Sequence, residues 1–423
     1  MISLWRIFWL EFVSLMRSWT LPALLAASLG WMFAAGMIVE TDATADGTRE
    51  MLVRYGLGGV FVLLVVTLLA SATGAIASDR AAKRLQLTLV RPVSFFAVAW
   101  GRFLALAAAG ALVLAFPCLE LAFSSEFRAR RCNHVYRPQM ISPQAEAALM
   151  YDAYMADPET PPEVKKAKKS VVLRLLTQRA KDNYQTVGTN ETAKWSFPGL
   201  GAWAAAHPGS EPSVRFRFSN TFDLRDDVRG TLLADGFSGV VSNLTQTAVT
   251  IPLRRVSAAY EPDALAFANS GANAVMLRPR QDVELLVPAD AFGRNLFRAY
   301  VVMVSVLALV IAFGVFLGAG LSRPVALFTA FVMLAVSEMI PSVVDQYPDQ
   351  LGTDRIDRIG LAITRTVGSC MRSVGSRTPF TALANDDCVE TKDALAAAAG
   401  ELLLLPLLLC LASAVCLARK HED

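Results

Sequence analysis

Charge is scarce in this sequence, and histidine scarcer still. Asp, Glu, Lys and Arg make up 18% of 423 residues, against 54% hydrophobic, and there are 3 histidines. A soluble domain carries about 25% charged residues, and with a mean hydropathy of +0.41 the chain falls in the membrane class. The net charge of +3, with basic residues scattered rather than massed, argues against a nucleic-acid partner. His134, His207 and His421 are too dispersed to form a metal-binding spacing. Also missing are G-x-S-x-G, H-E-x-x-H, C-x-x-C and the Walker-type G-x-x-x-x-G-K-[ST]. Asp226 and Asp227 are adjacent, and neighbouring side chains on a strand diverge. The expectation is a chain that is no enzyme, with no metal site and no cofactor of its own.

What the sequence has instead is long apolar runs. A bilayer core of about 30 Å takes roughly 20 helical residues. Runs of that length occupy Leu21 to Val39, Leu57 to Ala77, Val98 to Glu120 (interrupted near its end by Pro117), Tyr300 to Leu321, Val325 to Val344 and Ala397 to Ala418. Before them, residues 1–19 place Ser3, Arg6, Glu11, Ser14, Arg17 and Ser18 on one arc of a helical wheel with Trp, Phe, Leu and Ile elsewhere. That pattern suits a helix lying in the membrane interface, and without an A-x-A site before a soluble domain it is a poor signal peptide.

Charge asymmetry orients the runs. The loop after the first run carries four acidic and two basic residues, whereas Ser78 to Ala97 carries four basic and one acidic. Basic loops stay inside, which predicts that 78–97 is cytoplasmic. Arg419 and Lys420 hold the C-terminus on the same side. Six spans then leave both termini cytoplasmic and put residues 121–296 outside.

Residues 121–296 contain no run able to cross a membrane and have the length of an ordinary domain. Their first half reads as helical, at Pro143 to Met155 and Pro162 to Tyr184, with Lys165, Lys166, Lys168 and Lys169 making a solvated face or an anion site. The second half changes to β-type runs such as Val214 to Phe218, where residues alternate, then 240–253, 274–279 and 282–288. These suggest an antiparallel, sandwich-like fold. The predicted class is therefore membrane all-α with six spans, an interfacial N-terminal helix and an α+β extracytoplasmic domain. Residues 297–344 would hold spans four and five, 345–396 an outer loop with an amphipathic helix spaced by Arg355, Arg358, Arg365 and Arg372, and 397–423 the last span and tail.

Three groups of residues are candidates for function. The first is the charged stretch 78–97, with Asp79, Arg80, Lys83, Arg84, Leu87, Leu89, Arg91 and Pro92, together with the short second cytoplasmic turn Ser322, Arg323 and Pro324. The second is three carboxylates in or beside apolar runs, Glu120, Glu338 and Glu401, since an ionisable group at membrane depth is a functional candidate by default. A pairing of Glu338 or Glu401 with an arginine of 355–372 would shape the end of a translocation path. The third is cysteine. An outer compartment permits disulfides, and Cys370 with Cys388 would close a loop of ordinary size, the alternative being free thiols.

An N-terminal interfacial helix, LQLTLVRPVSFFAVAWGRFLA with its Gly101-Arg102 pair, LSRPVALF at 321–328 and a long loop before the fourth run together resemble the permease subunits of type 2 ABC exporters. Within these, the multicopper-enzyme maturation permeases are the subgroup most alike. Where many such permeases have Glu before the basic residue and Gly-Thr before the leucines, this chain has Asp79 and Leu85-Gln86. The resemblance implies a bacterial inner-membrane subunit that dimerises with a second copy or paralogue. It also implies that a separate ABC ATPase, holding ATP and Mg, drives the subunit through a coupling helix at 78–97. Membrane lipids and a periplasmic partner or substrate complete the implied set. The competing reading is a membrane-anchored interaction or scaffold protein whose outer domain binds an envelope partner without transport.

Overall fold

The computed structural model describes residues 2–38, 45–83, 93–128, 130–157, 160, 169–181, 184–207, 209–219, 227–234, 236–244, 248–256, 263–346 and 379–422. It divides into two compact units. One is helical, 1–132 with 290–423, and the other is an inserted domain, 133–289. The insertion is narrower than the 121–296 read from hydropathy because the helices on either side run on past the apolar residues.

In the helical unit five helices are long and apolar enough to cross a membrane: Thr20–Ile38, Gly47–Ala81, Phe95–Phe123, Phe292–Gly320 and Thr391–Arg419. They are the first, second, third, fourth and last spans below. Between the last two lies the helix Arg323–Gln346, of which Arg323–Val336 counts as a shorter apolar helix among the described residues. The second span is longer than its apolar run because a charged turn, a π-helical turn (Leu52–Leu57) and the apolar helix Gly58–Ala81 form one rod. Pro117 does not interrupt the third span, which continues to Phe123. The last span starts at Thr391, earlier than expected, and contains a second π-helical turn, Ala398–Leu404. Arg323 and Pro324 are the first residues of their helix rather than part of a turn, with Ser322 accepting the first backbone bond from Ala326 at 2.8 Å.

Between lipid-embedded helices there is no hydrophobic driving force, so close backbone approach through small residues carries the packing. The fourth span is the most buried, and it meets the second through Gly314 and Gly318. A Cβ at Gly318 would lie 2.5 Å from the Thr73 carbonyl oxygen, and one at Gly314 would lie 2.8 Å from Ala72 Cβ. The N-terminal helix Ile2–Arg17 packs on the third span through Ile7, Phe12 and Leu15. Here Gly101 makes room, since a Cβ there would be 2.8 Å from Ile7 Cγ2. Trp5, Trp9, Leu10 and Trp19 stay exposed, an aromatic face suited to the lipid–water boundary. Glu11, assigned to the polar arc by periodicity, points instead toward Arg102.

Cys388 is bonded to Cys132, not to Cys370. The bond links the chain just after the third span to the chain just before the last, across a sequence separation of 256. Neighbouring bonds hold the same corner. Arg130 pairs with Asp386 at 2.9 Å. Buried Asn295 donates to the Asp387 carbonyl at 2.8 Å and accepts from the Val389 N–H at 2.7 Å. Three-dimensional proximity across 256 residues is invisible to a spacing argument. Cys370 lies outside the described residues.

The inserted domain contains strands β1 (Arg131–Tyr136), β2 (Gln185–Val187), β3 (Thr192–Ser196), β4 (Ser213–Arg217), β5 (Asp227–Ala234) and β6 (Phe237–Leu244), followed by β7 (Ala248–Pro252), β8 (Arg254–Arg255), β9 (Ala264–Asn269), β10 (Val275–Leu277) and β11 (Val283–Ala291). They form sheets of order β1-β11-β4-β7 and β3-β9-β5-β6-β8, with a β10-β2 ribbon. Both larger sheets feed one core in which Trp195, Phe216, Phe218 and Phe267 pack ring on ring, with Phe216 and Phe267 centroids 6.1 Å apart. Each fully buried ring of this kind stabilises by about 1.5–3 kcal/mol. Helices Pro143–Ala156 and Lys169–Lys181 pack through Ala147, Val172 and Leu176. Lys165, Lys166 and Lys168 lie outside the described residues, and so does Asp226.

Candidate functional site

The second span ends in Asp79, Arg80 and Ala81, which therefore belong to the rod rather than to a free charged loop. Lys83 follows in a left-handed conformation, φ +55°, where a non-glycine residue is uncommon, and turns the chain out of the helix. The third span begins at Phe95, with the Ser94 hydroxyl accepting from the Ala97 N–H. Arg84, Leu87, Leu89, Arg91 and Pro92 lie between these ends, outside the described residues. The structure thus describes the two ends that flank residues 84–92.

Those ends meet at Arg102. Its side chain is only 6% exposed, and its guanidinium donates to the Asp79 carboxylate and to the Ala75 carbonyl. On its other side Nε pairs with Glu11 at 2.9 Å. One buried cation therefore ties the N-terminal helix, the second span and the third span together. An arginine inside the third apolar run has to be satisfied in this way, because an unpaired buried charge costs several kcal/mol. The Asp79 carboxylate and the Ala75 carbonyl accept its hydrogen bonds, and Glu11 adds a second negative charge beside Nε without a hydrogen bond to it.

Arg80 makes the next connection. Its two terminal nitrogens donate to the Ala319 and Leu321 carbonyls at 2.6 and 2.5 Å. These are carbonyls at the end of the fourth span, where a helix leaves its last acceptors unsatisfied and its dipole favours a cation. Arg323 lies against the second span where Gly74 leaves space, its Nε 3.2 Å from where a Cβ would sit. Asp79, Arg80 and Arg323 are thus brought together with Glu11 and Arg102 at one end of the helical unit. Glu11 and Arg102 escaped sequence reasoning as site residues. The Gly101-Arg102 pair was the available signal.

The carboxylates do not form one group of like environment. Glu120 is exposed in the last turn of the third span. Glu401 is 7% exposed and lies in the π-helical turn of the last span, a local irregularity that often marks function. Because that span starts at Thr391, Glu401 is deeper in it than hydropathy suggested. The side chain of Glu338 and residues 355, 358, 365 and 372 lie outside the described residues. Among the described residues no group of His, Cys, Asp and Glu is arranged to hold a metal ion.

The inserted domain has a cavity of its own, about 580 Å³, lined by Tyr184, Lys194, Trp195 and Arg280. Arg280 pairs with Glu146 at 2.6 Å and also donates to the Ile141 and Ala180 carbonyls. It pins the helical pair to the sheet region.

Compared with protein-family models, characterised proteins and solved structures, the chain matches none. What the site can do is therefore argued from its geometry. There, two arginines, Arg80 and Arg102, join four helices beside the ends that flank residues 84–92.

Proposed function

We propose that this chain is the membrane-spanning permease subunit of an ATP-driven ABC exporter-like complex, with hydrolysis of ATP and Mg binding in a separate ATPase subunit. The observation that carries the reading is the Glu11–Arg102–Asp79 joint with the Arg80 cap. A force applied to residues 84–92 enters the second and third spans at anchors locked to each other, to the N-terminal helix and to the end of the fourth span. The force would move these helices as one body rather than bend a loop.

In this reading the Arg323–Gln346 helix is the remaining span of six, both termini and segment 78–97 are cytoplasmic, and the inserted domain is extracytoplasmic. The Cys132–Cys388 bond supports that placement, since disulfides persist in oxidising compartments. A bacterial inner membrane, a dimer with a second copy or paralogue, and a substrate or partner meeting the outer domain follow from the family resemblance. The cavity at Tyr184, Trp195 and Arg280 favours a second reading, in which the outer domain recruits an envelope partner and nothing is transported.

A mild-detergent pull-down separates the two. Wild type is compared with Arg84→Glu/Arg91→Glu, and the eluate is analysed by mass spectrometry and ATPase assay. Export predicts a co-purifying ATPase that the double charge reversal removes. An eluate without ATPase activity sinks the export reading and leaves the anchored one.

A further inference from the structure

The end of the second span remote from Asp79 holds a crevice of about 710 Å³, within the roughly 300–1,000 Å³ of small-molecule sites. Three features build it. Trp31 of the first span donates its indole N–H to the Tyr55 carbonyl at 2.9 Å, bracing the π-helical turn. Gly59 permits this, because a Cβ there would lie 2.0 Å from Trp31 Nε1. Phe380 closes another side, packed edge-on to Phe61 with centroids 5.4 Å apart. Phe331 of the helix Arg323–Gln346 lines a further wall, and Val62 and Val66 line the crevice with 60% and 41% of their surface exposed.

Most of the lining is apolar, and Arg54 is the one charged side chain in it among the described residues. Its Nε pairs with Glu50 at 3.1 Å and its Nη2 reaches Asn385 Oδ1 at 3.4 Å, while Nη1 has no partner among the described residues. The side chain remains 41% exposed. Depth along the rod separates the two regions. At 1.5 Å per residue, Val62 is about 26 Å and Arg54 about 38 Å from Asp79. A hydrocarbon core is about 30 Å thick. With Asp79 at one boundary, the apolar walls lie inside the core and the guanidinium lies at the opposite headgroup level.

We infer that this crevice binds an anionic phospholipid, one acyl chain lying along Val62, Val66 and Phe331 with its phosphate against Arg54. The chemistry fits on both counts: the walls match a hydrocarbon chain, and an arginine that keeps 41% of its side chain exposed can meet a phosphate. Glu50 competes with that phosphate for the same guanidinium. The inference needs only insertion in a membrane and stands whether or not the chain exports anything.

The test uses the full chain, purified in mild detergent, exposed to equimolar phosphatidylglycerol and phosphatidylcholine, with bound lipid counted by native mass spectrometry. Wild type should retain one phosphatidylglycerol saturably, in preference to phosphatidylcholine. Arg54→Gln should lower that retention at least fivefold. Glu50→Gln, which removes the competing carboxylate, should raise it at least twofold, an opposite sign that a purely structural role would not produce. Val62→Trp, which fills the crevice, should lower retention of both lipids. Equal retention of the two lipids by wild type overturns the proposal, as does wild-type retention in both Arg54→Gln and Val62→Trp. So does efficient disulfide cross-linking of Val62→Cys chains to each other, which would make the crevice an interface between copies.

Discussion

Arg102 and Asp79 are ion-paired across a sequence separation of 23 that contains the whole of segment 84–92. The pair closes the base of that segment as a clasp closes a loop. Arg102 is nearly buried, while Asp79 and Glu11 keep 27% and 35% of their side chains exposed, so the cation depends on its partners more than they depend on it. Arg102→Met removes the cation and leaves two carboxylates facing each other. It should destabilise the helical unit by about 2–4 kcal/mol, at or below the range for breaking a buried pair. The combined Glu11→Gln/Asp79→Asn/Arg102→Met chain should recover part of that loss. Thermal unfolding of wild type and these two variants in one detergent measures both, and a triple variant no better than Arg102→Met would show that the carboxylates are not the source of the cost.

The disulfide makes a prediction about chemistry as well as stability. Cys370→Ala should leave one disulfide in the intact chain, seen by mass before and after reduction and alkylation. Cys132→Ala should abolish it and expose Cys388 to alkylation. Loss of a native disulfide typically costs about 2–5 kcal/mol, and the Arg130–Asp386 and Asn295 bonds at the same corner should keep the helices associated without it. Cys388 still protected in Cys132→Ala would contradict the pairing.

Gly318 tests how tightly the second and fourth spans pack. A Cβ there meets the Thr73 carbonyl oxygen at 2.5 Å, a backbone atom that cannot rotate away. Gly318→Ala should lower stability by about 1–3 kcal/mol through overpacking. The same change at Gly320, where nothing lies within 4 Å, should be close to neutral. Equal effects at both positions would mean that the two rods are not in contact at Thr73.

The contrast between those glycines also shows what could be read from the chain alone. The apolar runs are legible because lipid exposure is a one-dimensional property of each segment, and five of them became long helices near their expected positions. Boundaries slipped where polar residues continue a helix, as at Thr48 to Met51 and at Ser78 to Ala81. In the inserted domain β4 and β11 were legible as short β-type runs, but β9 was not, since Leu265, Ala266 and Phe267 are buried on both faces and give no alternation. Asp79 and Arg80 stood out as charges beside an apolar run. Glu11 did not, because its partner Arg102 is distant in sequence and helical periodicity places it with the solvent-facing residues. Cys388 shows the same limit: its partner is set by how the third and last spans pack.

Asp263 gives the inserted domain a pH dependence whose direction follows from its bonds. It holds φ +59°, and its carboxylate accepts the Gly201 N–H at 2.8 Å at the start of the short helix Leu200–Ala206. Backbone hydrogen bonds from Gly201 and Gly199 hold its pKa below the usual carboxylate value of 3.8, against a smaller opposing effect of burial. A group depressed in the folded state binds its proton more readily when unfolded. Its contribution is therefore fully present above the unfolded value and is lost as pH falls through the lower folded one. Acid titration of the full chain, followed by the fluorescence of its tryptophans, should show an unfolding midpoint at higher pH for Asp263→Ala than for wild type, with the curves converging once pH drops below the folded value. Asp263→Asn keeps an acceptor for the Gly201 N–H but cannot titrate. Above the unfolded carboxylate value of 3.8 it should be more stable than Asp263→Ala, and as pH falls below that value it should lose less stability than wild type. If all three proteins lost stability in parallel as pH fell below it, the helix cap would not be a source of acid sensitivity.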